Sequence, residues 1–309
     1  MKSILPLTLL FCCSLVTTAA EPQIRFGREQ TKQVRAGFKI DASAGSVTGI
    51  VATWAVPMDW PEQSVKLVSE TISPNCRVTY RNLDGGVKQL VVNIPRLAKG
   101  ETASVEQIYE STIREILPPE STDGFVIPTK LNKELTKLLQ PSPYIEVNSP
   151  EIKKLAPEII KGKDKAWDQA EAILNWVREN VKYKFATDIK PAIAALKDGE
   201  GDCEELSSLF IALCRANKIP ARAVWVPGHT YPEFYLEDAA GNGHWFPCQA
   251  AGNTKEFGQM FEDRPILQKG DNFKVPEEKA PQRYVKQFLK AANAQADPKV
   301  QFFMERVKE

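Results

Sequence analysis

Residues 201–210 read GDCEELSSLF, and they place a thiol where a helix should begin. Asp202 and Glu205 have the D-x-x-E spacing of a capping box, in which the aspartate accepts from a backbone N–H of the first turn and the glutamate reaches back. Leu206, Leu209, Phe210, Leu213 and Cys214 then fall on one apolar stripe. Cys203 is therefore expected as the first helical residue. Unpaired N–H groups and the positive end of the helix dipole favour a thiolate there, below its free pKa of about 8.5. Its backbone N–H is also free to donate to a developing oxyanion. Glu204 and Glu205 push the other way, so a nucleophilic Cys203 needs a cationic or basic partner, most often a histidine. The chain offers two, His229 and His244.

The elements that must position these residues follow from pattern. AWDQAEAILNWVRENV carries Ala166, Ala170, Ile173, Leu174 and Val177 on one helical stripe. IPARAVWVPG and PEFYLED read as strands, followed by a Gly-Asn-Gly turn at 241–243. Two helices and then strands in one unit suggest an α+β domain. Earlier, residues 34–95 are strand-rich. Asp84-Gly85-Gly86 marks a hairpin, because such residues supply the positive φ a tight turn requires. TASVEQIYESTIREIL fits both a helical and a strand pattern, and its neighbours favour a strand. Pro118-Pro119 and Pro141-Ser142-Pro143 punctuate the boundary. The expected division is a β-sandwich-like domain over 21–119, the α+β domain over 120–270, and a charged extension over 271–309 with a helix at 280–293.

Several separated motifs carry a resemblance. Gly201-Asp202-Cys203, Leu213-Cys214-Arg215-Ala216, Ile219-Pro220-Ala221-Arg222 and His229-Thr230-Tyr231-Pro232-Glu233-Phe234-Tyr235 occur in the order of the transglutaminase-like superfamily, as do WVRENVKY at 176–183 and ALKDGEGDC at 195–203. The stretch from about 141 to 252 is similar to that family's papain-like core. The resemblance implies a papain/transglutaminase-like α+β fold, Cys203 as nucleophile and His229 as general base and acid. The family then places an Asp in a Trp-x-x-x-Asp run to orient the histidine. Here the run is Trp245-Phe246-Pro247-Cys248-Gln249, so Gln249 takes that position. An amide still accepts the ring N–H, as Asn does in papain-like sites, but stabilises an imidazolium less than a carboxylate does. His244 is expected as a solvated turn residue.

Residues 1–20 have the features of an export signal: Lys2, an apolar run too short to span a bilayer comfortably, and Thr18-Ala19-Ala20 ahead of Glu21. The expected location is therefore the periplasm or outside the cell. No later stretch is apolar for long enough to cross a membrane. Loss of Lys2 leaves 39 basic against 39 acidic residues, which argues against a nucleic-acid or polybasic membrane binder. Cys76, Cys203, Cys214 and Cys248 survive cleavage; a Cys214–Cys248 disulfide is open to them. A zinc site from Cys203, Cys248, His229 and His244 lacks the paired spacing such sites use, and no metal or cofactor is expected. Arg222 is expected in a structural ion pair. The first functional expectation is an exported cysteine enzyme acting on protein or peptide amides through an acyl-thioester, with hydrolysis favoured over cross-linking. The second is a weak or inactive binding module on the same fold, motivated by Gln249 and the acids around Cys203. A third is an envelope protein stapled by disulfides.

Overall fold

The computed structural model describes residues 24–307. The expected export signal lies outside the described residues. Six strands open the chain: β1 (Arg25–Asp41), β2 (Val47–Val56), β3 (Gln63–Ile72), β4 (Arg77–Leu83), β5 (Val87–Leu97) and β6 (Thr102–Leu117). β6 is the segment that fitted two patterns. It alternates along its length, with Ala103, Val105, Tyr109 and Ile113 turned inward. The β4–β5 hairpin turns through Gly85 and Gly86, both at φ near +90°.

Helices follow: α1 (Lys133–Lys137), α2 (Pro150–Ile159) and α3 (Ala166–Asn180). After β7 (Lys182–Tyr183) come α4 (Ala192–Asp198), β8 (Glu200–Gly201) and α5 (Cys203–Ala216). The strands β9 (Ala221–Val226), β10 (His229–Glu237), β11 (Gly243–Pro247) and β12 (Gln268–Lys269) complete this α+β part. All five residues expected on the apolar stripe of α3 are buried.

The C-terminal region corrects the expectation of a helical extension. Residues 271–287 are irregular, and the chain then forms β13 (Phe288–Lys290), β14 (Asn293–Ala294) and β15 (Lys299–Arg306). Pro276, Pro281 and Pro298 break up the stretch, and VQFFM favours a strand. The deciding contribution is tertiary. β13 and β14 pair with β2, and β15 pairs with β1 from Val34–Arg306 to Asp41–Lys299, supplying edges that would otherwise carry open N–H and C=O groups.

Two sheets result. One has the order β15-β1-β6-β3. The other runs β11-β10-β9-β12-β5-β2-β13, with β4 also on β5 and β14 also on β2. Between them lies a core of Phe38, Trp54, Leu90, Val105 and Tyr109, into which Phe302 of β15 packs. A second core fills the space between α2–α5 and β9–β11. The second sheet serves both. Gln268 of β12 pairs with Trp225 of β9 on one side and Val87 of β5 on the other. A buried charge relay seals the junction: Lys269 binds Glu62 at 2.5 Å and Glu233 at 3.0 Å, and Glu233 binds Arg222 at 2.5 Å.

Candidate active site

The capping box forms at the start of α5. Asp202 Oδ1 accepts from the Glu204 N–H at 2.7 Å, and Glu205 Oε2 accepts from the Asp202 N–H at 2.9 Å. The other Glu205 oxygen accepts from the Lys190 N–H at 2.7 Å, tying the preceding loop to the same turn. α5 is more enclosed than one apolar stripe implies: every residue from Glu205 to Arg215 is buried. Neighbouring helices and β10 surround it, so it is the central helix of its core. Cys203, its first residue, is half-buried.

β10 runs alongside that first turn. Within a strand, the N–H and C=O of one residue point to the same lateral side. At Thr230 that side faces α5: the N–H is directed to the Cys203 sulfur, and the C=O accepts from Ser207 Oγ at 3.4 Å. Residues 203 and 207 are one helical turn apart, so the helix face lies along this strand edge. His229, the next residue toward the strand's start, is half-buried. Its Nε2 lies 3.1 Å from Gln249 Oε1. The Gln249 amide nitrogen faces Met260 Sδ at 3.6 Å, a weak acceptor that suits the NH2 end and leaves the carbonyl for the imidazole. Nε2 then donates, and Nδ1 keeps its lone pair. Gln249 is itself fixed, its C=O accepting from Arg178 Nη1 at 2.7 Å and its N–H donating to the Glu256 C=O at 2.9 Å.

Cys203 is thus brought beside the residue next to His229, and His229 is brought to Gln249. Among the described residues no hydrogen bond joins the Cys203 thiol to the imidazole. Electrostatics favour a neutral resting pair. Burial pushes the thiol up to about 11, and Asp202, Glu204 and Glu205 add to the shift against the Thr230 N–H. Burial pushes His229 below its ordinary value, and Arg264 pushes it further, while the Gln249 hydrogen bond and Glu262 oppose. Both shifts leave the thiol protonated and the imidazole neutral at rest, with no preformed thiolate–imidazolium pair.

Other residues weighed from sequence have different places. His244 corrects the expectation of a solvated turn. It lies on β11 with Nε2 3.0 Å from Asp238 Oδ2, its side chain 11% exposed, against Phe125 and Phe246. Alternation along β11 turns it inward, and Asp238 supplies its partner. Cys76, Cys214 and Cys248 are free and buried, and no disulfide forms among the described residues. Those residues hold no cluster of three or more metal-ligating groups. Arg222 makes its ion pair with Glu233 and stacks on Trp245, 4.0 Å from the ring centre. Burial raises the Glu233 carboxyl, yet Arg222 and Lys269 hold it below its ordinary value. The Thr230 amide, Met260 and Arg178 were not legible in the sequence. The first is a backbone group, and the others gain meaning only from long-range contacts.

Residues 153–250, about a third of the chain, match the model of the transglutaminase-like superfamily, and Cys203, His229 and Gln249 all lie inside the match. A candidate cysteine protease from Cytophaga hutchinsonii is structurally similar, with a TM-score of 0.60 at 15% identity over 93% of this chain and 94% of that one. At this identity the likeness establishes the fold, and it extends over the β-sandwich as well as the α+β part. A candidate protease from Parabacteroides distasonis (TM-score 0.28, 12% identity, 68% of this chain and 47% of that one) overlaps more loosely. So does the periplasmic domain of TgpA from Pseudomonas aeruginosa (0.33, 12%, 69% and 88%). No curated protein matches the chain at a significant level. Over residues 153–250, the α+β part is thus similar to the transglutaminase-like superfamily.

Proposed function

We propose that the protein is an exported cysteine hydrolase of protein or peptide amides, with Cys203 as nucleophile, His229 as general base and acid, and Gln249 orienting the imidazole. The observation that carries this reading is the 3.1 Å contact of His229 Nε2 with a buried, fixed Gln249, on the strand whose next amide faces the sulfur. The Cys203 sulfur bonds to the substrate carbonyl carbon as its proton passes to His229 Nδ1. The C–N bond of the tetrahedral intermediate breaks, and the imidazolium returns that proton to the leaving amine. Water then attacks the thioester, giving up a proton through His229, and releases the acid and the thiol. An amine in place of water gives a transamidated product. The Cys203 backbone N–H at the helix N-terminus supports the oxyanion.

The experiment is incubation with a peptide library at pH 7–8, with products read by mass spectrometry. New carboxyl termini or deamidated glutamine, absent with Cys203→Ser, support hydrolysis. Isopeptide products redirect the reading to cross-linking. A second reading, a binding module without turnover, is favoured by the elevated thiol pKa and the missing sulfur–imidazole hydrogen bond. It predicts peptide binding with no Cys203-dependent product. Export is tested by fractionation and an N-terminus at Glu21.

A further inference from the structure

Two buried arginines flank this core, and their bonding differs. Arg215 is saturated: Nε and Nη2 donate to the Ala221 C=O, Nη1 to the Gln140 C=O and Ser142 Oγ, and Nη2 to both oxygens of Asp271. That is how a structural arginine offsets its desolvation. Arg283 is 4% exposed and makes one hydrogen bond, from Nη2 to the Glu204 C=O at 2.6 Å. Its Nε and Nη1 have no protein partner among the described residues, and neither has Glu204 Oε2, 3.8 Å from Nη2. The guanidinium lies over Trp225 and Tyr144, 5.3 and 5.8 Å from the ring centres. Such a placement is costly for stability and underused by the fold. It does put a cation against the first turn of α5, where Cys203 needs one.

We propose that Arg283 is the cation that supports a thiolate at Cys203, and that Glu204, adjacent to Cys203 in the chain, sets how much of that charge reaches the sulfur. The inference rests on Cys203 as nucleophile and extends it to a residue outside the superfamily match. The groups that act on the sulfur are the Asp202 carboxylate at the N-cap, Glu204 and Glu205 on α5, and the Thr230 N–H on β10. Arg283, followed by Tyr284 on the segment before β13, meets this turn through Glu204, and Lys190 contributes its backbone N–H to Glu205. As the chain stands, Glu204 engages the guanidinium and adds its own charge against the thiolate. Burial disfavours the charge on Arg283, and Glu204, Asp271, Glu205 and Asp202 oppose that effect.

The test is the rate of Cys203 alkylation by iodoacetamide from pH 6 to 11, read by peptide mass. Glu204→Gln is expected to react about tenfold faster at pH 8, the change for one unit of thiol pKa, with its profile moved to lower pH. Adding Arg283→Gln is expected to remove that gain, and adding Arg283→Lys to keep most of it. Should the Gln double variant not fold, Arg283→Met packs on the same rings without charge and gives the same comparison. A Glu204→Gln rate equal to wild type overturns the proposal, as does a charge-free double variant as fast as Glu204→Gln. In both cases a reactive wild-type Cys203 leaves the nucleophile reading standing. A Cys203 inert in every variant up to pH 11 overturns both.

Discussion

At the scale of single residues, Gln249 separates this site from a carboxylate-assisted one. Its Oε1 fixes which imidazole nitrogen is protonated, yet it brings no charge to stabilise imidazolium. Gln249→Leu removes the orientation, and turnover is expected to fall at least about tenfold with KM little changed, read from steady-state kinetics. Gln249→Glu adds the missing charge. It should raise the His229 pKa, move the acid limb of kcat/KM to higher pH, and speed Cys203 alkylation near pH 7. In the native protein that limb should lie below 6.5, because burial lowers the His229 pKa and catalysis needs the neutral ring. Asp238 makes an independent prediction. Burial raises its carboxyl, but bonds from His244, Asn242 and the Ala240 N–H bring it down to about 2. Its contribution to stability is full above the unfolded value of about 3.9 and is lost as pH falls through about 2. Asp238→Ala should cost roughly 2 kcal/mol at pH 7 and flatten the acid unfolding curve in that window. The Cys203, His229 and Gln249 positions were legible because motif order carries them. The Asp238–His244 pair was not, since a histidine beside a Gly-rich turn reads as solvated until β11 alternation turns it inward.

Among the elements, α5 depends on both its cap and its end. Asp202→Ala should cost about 1 kcal/mol in denaturant unfolding. At the other end, Arg215 and Asp271 form a buried pair at 2.7 Å, each side chain 1% exposed. Asp271→Ala strands the guanidinium and should cost about 3–5 kcal/mol, whereas replacing both partners with apolar residues should cost far less. The helix and its following strands are local in sequence, so periodicity and caps reveal them. β13 and β15 are not. Their partners β2 and β1 lie more than two hundred residues earlier, and three prolines with scattered charges hide the strand pattern. The segment carrying Arg283 was illegible for the same reason: nothing near it in the chain points to the first turn of α5.

For the whole molecule, the continuous sheet matters most. β12 is two residues long, yet it joins the strands of the sandwich to those of the α+β part, and Glu62–Lys269–Glu233 closes the same junction. The two cores should therefore unfold together. A single calorimetric transition is expected, and Lys269→Ala, which leaves Glu62 and Glu233 without their shared cation, should lower its midpoint or split it. The strand-rich and helix-rich halves were legible from composition; their fusion was not, because it rests on Gln268 and Lys269 in a stretch with no strand pattern of its own. The proposed hydrolysis requires that a thiol at one end of α5 and an imidazole at the start of β10 act together. Labelling with a peptidyl acyloxymethyl ketone, read by intact mass and peptide mapping, tests this most directly. One label per molecule is expected, on Cys203 and not on buried Cys76, Cys214 or Cys248, with its loss in His229→Ala. Equal labelling of Cys203 with and without His229, or none in the wild type, would contradict it.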